Sequence, residues 1–503
     1  MPSESPVLRR PDGAWWIAPS VRGVAIDSRL VEPGFIFVAV PGQATDGHEF
    51  AQEAVARGAL AVVVERSVGV LSAPVVMVPS SRVAAAELAA EIYGHPGQDL
   101  AVTGVTGTNG KTSVVFWLAS LLERSGHPTG MLSSVVNWMG DGHRGSSLTT
   151  PSAPDVQQSL AQMRDNGMTH AVVEVSSHGL VQHRVHGIPF RVGVLTNITR
   201  EHLDYHGTMD EYVAAKSILF TELLAPDGLA VFNADDPHSQ TVASQWRGRR
   251  LSFGLARGDL RAHILREEPW RTTVRVQFGE DRWEIVLPFP GRYNIYNVLA
   301  AVGAAIGNGS SPDVVMGQVA ELPQVPGRLE VAAQGDGVVV LVDYAHTPDG
   351  LTQVLQTVRR LVGSERHIWL VFGARGGRDV GKRPIMGQIA ARLADRVVLT
   401  ADSPHEEPVQ GIITEVEAGI REAGGTPYAV EQDRATAIGL AVADAAPGDV
   451  VLITGRGPET TQEFGHTVVT LIDADAARAA MRRRLNAAEE ASHAAREHHH
   501  PHV

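Results

Sequence analysis

Short β-branched runs alternate with Ala-rich stretches along most of the chain. Between about residues 21 and 80 the runs are Ile36-Phe37-Val38-Ala39-Val40, Ala61-Val62-Val63-Val64 and Val75-Val76-Met77-Val78. Runs of this length read as buried strands, and the stretches between them as helices, which predicts a small α/β domain. Tyr93-Gly94-His95-Pro96-Gly97 carries helix-stop and turn residues, and Leu100-Ala101-Val102-Thr103-Gly104 opens a new strand, so a boundary falls between them. The middle region repeats strand-then-helix units, among them Ala171 to Val175 and Val192 to Thr196, as a mostly parallel sheet requires. Pro323-Gln324-Val325-Pro326-Gly327 reads as a second linker. After it come strand candidates Val338 to Val342, Ile368 to Phe372, Val397 to Thr400 and Val450 to Thr454. The expected organisation is three α/β domains at 1–97, 98–325 and 326–486, with 487–503 a disordered tail.

Composition narrows the function. The 503 residues are 44% hydrophobic and 20% charged, which suits globular domains with local disorder at most. A formal charge of -13 offers no general attraction for nucleic acid or anionic lipid, so any phosphate must be held by a local site. No cysteine is present, which removes disulfides, thiolate metal sites and Cys nucleophiles. Met1 to Ser20 contains Arg9 and Arg10 but no apolar run behind them, and no later stretch is apolar enough to span a bilayer. The expectation is a cytoplasmic protein without membrane insertion. The tail ends His498-His499-His500-Pro501-His502, which reads as a frayed terminus or as a metal-binding tract.

One segment carries strong chemistry. Gly104-Val105-Thr106-Gly107-Thr108-Asn109-Gly110-Lys111-Thr112-Ser113 follows a predicted strand and precedes a helical run, Val114 to Arg124. In that context the amides of Gly107 to Gly110 converge on phosphate oxygens, Lys111 reaches the terminal phosphates, and Thr112 is suited to magnesium. The first glycine lies one residue earlier than the strict phosphate-loop spacing. Glu174 ends a strand at Ser176-Ser177-His178, so its carboxylate is delivered to the edge where open α/β sheets bind ligands. The loop from Asn197 to Gly207 is dense in groups that bind metal or simply satisfy one another. Lys216, flanked by Ala214, Ala215 and Ile218, taken alone reads as a snorkelling surface lysine.

Together these residues resemble the Mur ligase family, and within it the MurE type, from about Asp27 to Phe464. Thr106-Gly107-Thr108-Asn109-Gly110-Lys111-Thr112 matches the family's ATP loop and accounts for the shifted glycine. Folylpolyglutamate synthetases share that loop and the C-terminal domain, so three other segments distinguish the MurE type. They are Asp27-Ser28-Arg29 with Pro33-Gly34 and Phe37-Val38-Ala39, Thr149-Thr150-Pro151, and Glu174-Val175-Ser176-Ser177-His178 through Gln182-His183-Arg184. The resemblance implies a small uridine-binding α/β domain, a central P-loop ATPase-like parallel sheet and a C-terminal Rossmann-like α/β domain. It assigns Ser28 to the UDP end, and Thr149, Thr150, Ser176, Gln182 and Arg184 to the muramoyl peptide. It assigns Asn294, Asn297, Arg328 and Asp343 to ATP, beside the loop residues through Ser113. The Tyr212-x-x-Ala215-Lys216 match implies a CO2-derived carbamate on Lys216, which with Thr112, Glu174 and His202 would hold Mg2+.

The activity implied is ATP-dependent addition of the third amino acid to UDP-MurNAc-L-Ala-D-Glu through an acyl phosphate, in peptidoglycan precursor synthesis, by a monomer. The alternatives are a paralogous amide ligase making a specialised peptide and a folylpolyglutamate-type ligase; a non-catalytic nucleotide-binding regulator would not need Lys216, Glu174 and His202 together. For the incoming amino acid the resemblance points to Arg378, Asp402, His405, Gly455 and Glu459. Here the chain departs from its family. Members that add diaminopimelate carry Asp-Asn-Pro-Arg, whereas this chain reads Asp402-Ser403-Pro404-His405, and Arg375 stands where glycine is usual. A histidine lacks the bidentate, permanently charged contact of arginine. The expectation is therefore that diaminopimelate is not the best acceptor, unless Arg375 compensates.

Overall fold

The computed structural model describes residues 6–10, 13–42, 45–145, 148–268, 271–377 and 379–497. By internal contacts the chain forms two units, one running essentially to Leu322 and the other from Pro323 onward.

Besides a two-stranded pairing of Val7–Arg9 with Trp15–Ile17, the first unit contains two larger sheets. The smaller has four parallel strands, Gly23–Ala25, Phe35–Val38, Ala61–Val64 and Val75–Met77, side by side in chain order. The apolar runs become strands because both faces are covered. Ile36, Val38 and Val63 pack with Ala84, Ala85, Leu88 and Ala89 of the helix Ser81–Ile92, and Phe37, Val62 and Val64 pack with Ala51 and Ala54 on the other face. That helix ends as the turn chemistry requires: Gly94 and His95 both take positive φ, and Pro96 opens a short helix.

The larger sheet has eleven strands. Its parallel centre sets Thr129–Leu132, His170–Glu174, Ala101–Thr106, Phe190–Leu195 and Leu224–Asn233 next to one another in that order. The register places Glu174 opposite Val105 and Leu195 opposite Thr106, so three strands end at one edge. The helix Lys111–Arg124 starts there, three residues before the run seen in the sequence, and buries Trp117, Leu118, Leu121 and Leu122.

The second unit has a six-stranded sheet. Glu330–Gly335 pairs antiparallel with Val338–Asp343, and parallel pairings continue through Val450–Thr454, Ile368–Phe372, Arg396–Leu399 and Ala429–Val430. The last helix runs Asp473–Glu497. Its Ala, Glu and Arg residues have high intrinsic helix propensity, and Ala477, Ala480 and Met481 are buried against Val338, Val340 and Val342. The His-rich end lies outside the described residues.

Candidate active site

In the first unit the site is built on the loop between Thr106 and Lys111. Gly107 and Gly110 have φ of +143° and +85°. A Cβ at Gly107 would lie 1.9 Å from Thr196 Oγ1, and one at Gly110 would lie 2.1 Å from Asn297 Oδ1. Both positions therefore exclude a side chain on conformation and on space. The loop is held from the neighbouring strand end. Thr196 Oγ1 and Asn197 Nδ2 donate to Asn109 O at 2.6 and 3.0 Å, and Asn109 N donates to Asn197 Oδ1 at 3.1 Å. Thr108 Oγ1 accepts from Thr199 N at 2.9 Å and lies 3.1 Å from the buried Tyr212 hydroxyl.

Two lysines converge on one carbonyl. Lys111 Nζ donates to Gly107 O at 3.1 Å and Thr108 O at 2.9 Å, while Lys216 Nζ donates to Gly107 O at 2.8 Å. Lys216 is no snorkelling surface residue. It is 1% exposed, and its Nζ sits 4.5 Å from the Tyr212 ring centre. Burial, and then the charge of Lys111, hold its amine well below the ordinary lysine range, with Glu201 opposing.

Glu174, also buried, lies 3.2 Å through each carboxylate oxygen from Thr112 Oγ1 and accepts from Ser134 N at 2.9 Å. Thr112 and Glu174 thus present hard oxygen donors at a helix N-terminus, a set that fits Mg2+ completed by phosphate and water. Of the four residues expected around a metal, Thr112 and Glu174 are in direct contact, and Lys216 Nζ bonds the loop carbonyl of Gly107. His202 Nε2 is instead 3.7 Å from Glu201 Oε2 and its ring stands edge-on to His178 at 4.8 Å. Among the described residues no three His, Asp or Glu side chains gather into a metal-holding group.

In the first unit the remaining residues assigned by resemblance fall into three groups. Thr150 Oγ1 donates to Glu174 O at 2.8 Å and accepts from Ser176 N at 2.9 Å. Arg184 donates to Thr150 O at 2.6 Å and to Gln182 Oε1 at 2.7 and 3.1 Å, and Gln182 Nε2 donates to the Tyr205 hydroxyl. This polar cluster lies next to Glu174 and follows Thr149. Asn294 and Asn297 are buried on the helix Arg292–Gly307. Ser28 is elsewhere, buried in the small sheet's first turn and 3.3 Å from Glu53 Oε2.

In the second unit the strand ends again collect polar groups at one edge. Asp343 accepts from Leu329 N and Ala345 N, and the Arg328 guanidinium lies 5.0 Å from the Tyr344 ring centre. Gly455 has φ +113°, and a Cβ there would lie 2.6 Å from Asp402 Oδ2, so glycine keeps that carboxylate unobstructed. Glu459 grips Arg375 through two bonds, at 3.0 and 2.9 Å. Burial disfavours the Arg375 cation, but Glu459 and Asp402 outweigh it and strengthen its hold on the proton. His405 is turned toward a hairpin, with Nδ1 3.0 Å from Glu463 Oε2 and its amide on Glu463 O. Arg378 lies outside the described residues.

Sequence reasoning missed Ser134, Thr196 and the hydroxyl of Tyr212 as parts of the first site. Thr196 was findable, since it follows a predicted strand at the edge where ligands collect. Tyr212 was not, because its partner Thr108 is 104 residues away.

Comparison with known proteins covers the whole arrangement. Residues 20–93 match the Mur ligase family catalytic domain, 105–305 the Mur ligase middle domain, and 327–457 the Mur ligase glutamate ligase domain. The UDP-N-acetylmuramoyl-L-alanyl-D-glutamate--2,6-diaminopimelate ligase of Geobacillus kaustophilus is 39% identical over 472 residues, 93% of this chain and 96% of that one. A solved structure of a ligase of the same name aligns with TM-score 0.64 at 32% identity, over 92% of this chain and 95% of its own. The MurF ligase of Thermotoga maritima, solved with ADP, shares the fold at TM-score 0.62 and 21% identity, over 93% of this chain and 98% of its own.

Proposed function

The chain belongs to the Mur ligase family, and from that premise we propose that it is the ATP-dependent, ADP-forming ligase that adds the third amino acid to UDP-MurNAc-L-Ala-D-Glu. The observation that carries the reading is the strained loop at residues 107–110, opening on Lys111 and Thr112 with Glu174 and Lys216 packed against it.

In this reading the γ-carboxylate of the D-glutamate attacks the γ-phosphorus of ATP, the bond to ADP breaks, and an acyl phosphate forms. The acceptor's neutral amine then attacks the acyl carbon, and inorganic phosphate leaves. Lys111 shifts from the loop carbonyls to the terminal phosphates, where its charge meets the charge of the transferring group. Thr112 and Glu174 would hold Mg2+, which supplies charge neutralisation on the phosphates. Lys216, buried with depressed basicity, is poised as the neutral amine that adds CO2, and its carbamate would complete the anionic side of the site. The Thr150, Ser176, Gln182 and Arg184 cluster, beside Glu174, orients the muramoyl peptide, and Ser28 meets the uridine end. Asn294, Asn297, Arg328 and Asp343 serve ATP. Domain limits near residues 97 and 325 and a cytoplasmic, monomeric enzyme complete the proposal; no helix among the described residues is long and apolar enough to cross a membrane.

The activity for which the relatives are named makes 2,6-diaminopimelate the proposed acceptor, against the expectation drawn from His405. A second reading, a diamino acid lacking the distal carboxylate, is favoured by one local observation. Arg375 is gripped by Glu459, and His405 Nδ1 lies 3.0 Å from Glu463, so both basic side chains near the pocket already face carboxylates. The test is phosphate release and product mass with UDP-MurNAc-L-Ala-D-Glu, ATP and competing meso-diaminopimelate, L-lysine and L-ornithine. Absence of dipeptide-dependent phosphate release with every acceptor would sink the function itself.

A further inference from the structure

The second unit contains a cluster of charges that the reaction does not use. Arg434 forms a double ion pair with Asp473, Nε to Oδ1 and Nη2 to Oδ2, both 2.8 Å, and Arg456 Nη1 reaches Asp473 Oδ1 at 3.2 Å. All three side chains are 0% exposed. Burying two guanidinium groups and one carboxylate strips them of water, and such clusters give little net stability over apolar packing of the same volume. A role beyond packing is indicated by where their other bonds go.

Arg434 donates to Ala401 O at 3.3 Å and Thr454 O at 2.9 Å. Those carbonyls belong to the residues immediately before Asp402 and Gly455. Arg456 donates to Thr461 O at 2.8 Å, Leu471 O at 2.9 Å and Glu459 O at 3.4 Å. Every segment that brings a described candidate acceptor residue other than His405 is therefore tied to one buried point. The tie is also electrostatic, since Asp402 and Glu459 both act on the charges of Arg434 and Arg456. With Arg375 included, three cations face three anions within one connected network.

We propose that Arg434, Asp473 and Arg456 are positioning residues for the incoming amino acid: they fix Asp402 relative to Gly455 and Glu459, and so set the pocket's width. The inference rests on the acceptor assignment made above. It does not extend to nucleotide or dipeptide, since the bonds of Arg434 and Arg456 go to Asp473 and to the carbonyls of Ala401, Thr454, Glu459, Thr461 and Leu471. A loosened network widens the acceptor pocket and leaves the other two sites intact.

The test uses the full chain, with whichever of meso-diaminopimelate, L-lysine and L-ornithine the wild type turns over fastest. Arg434→Lys keeps the charge but loses the double pair, and Asp473→Asn keeps the shape but loses the anion. Each is expected to raise the acceptor KM about tenfold or more, with the KM values for ATP and UDP-MurNAc-L-Ala-D-Glu changing less than about twofold. Thermal melts identify the folded variants, and Asp473→Asn carries the test should Arg434→Lys not fold. Unchanged acceptor KM in a folded variant, or equal rises for all three substrates, overturns the proposal. Failure of both variants to fold also overturns it, since the cluster is then a folding element alone. A wild type with no acceptor-dependent product refutes the acceptor assignment instead, a different outcome.

Discussion

Lys216 and Tyr212 act as a pair. The lysine amine rests over the tyrosine ring and donates to Gly107 O, while the tyrosine hydroxyl reaches Thr108 one residue further along the same loop. Under the proposed carbamate, Lys216→Ala removes an anion from the site, so phosphate release is expected to fall by at least a hundredfold. Short carboxylic acids added to that variant should restore part of it by standing in for the carbamate; full activity without them would remove Lys216 from the mechanism. Tyr212→Phe is milder. It deletes a hydroxyl whose partner Thr108 keeps its bonds to Thr199 and whose contact with Glu201 is long, at 3.5 Å, so a loss of about 0.5–1.5 kcal/mol, or roughly two- to tenfold in turnover, is expected. Steady-state kinetics of the two variants side by side separate these magnitudes.

At the scale of elements, the strand Ala101–Thr106, its loop and the helix behind it form the unit on which everything else is hung. Gly107→Ala forces a Cβ against Thr196 Oγ1 at a backbone angle that L residues rarely adopt. Strain on the order of 1–3 kcal/mol should displace the loop. Turnover is then lost while the melting temperature falls by only a few degrees, which calorimetry and an ATPase assay measure together. This element was legible in the sequence, because a glycine loop between an apolar strand and a helix is a local pattern. Helix and strand positions in the last domain were legible for the same reason. The grip of Glu459 on Arg375 was not, nor the turning of His405 toward Glu463, since both depend on side chains brought together from distant segments. The packing of the last helix was not legible either, because its Ala- and charge-rich composition reads equally as a solvated surface; the burial of Ala477, Ala480 and Met481 sets its first turns against the sheet.

Across the whole molecule, binding and turnover should separate. Lys111→Ala is expected to abolish phosphate release yet leave affinity for UDP-MurNAc-L-Ala-D-Glu within about threefold, because the lysine's bonds stay within its own loop. Isothermal titration checks it, and equal losses in both would count against separate sites. Stability should also depend on pH through His170. Burial first, then the nearby His127 and Arg191, lower its pKa to about 4. The unfolded chain therefore takes up the proton first as pH falls, and the stability His170 contributes is complete above about pH 6.5 and is lost as pH falls toward 4, at most about 3 kcal/mol. His170→Gln should flatten that part of a urea-denaturation pH profile, and an unchanged profile would rule the histidine out. One further feature bears on how this enzyme could be altered. The carboxylate of Glu174 faces Thr112 while its carbonyl takes the Thr150 hydroxyl, so the proposed nucleotide side and the proposed sugar-peptide side share a party wall one residue thick. Anyone remodelling either room inherits the other: substitutions chosen to admit a new sugar-peptide will be selected, unasked, for what they do to phosphate chemistry, and second-site revertants of one defect should map across that wall.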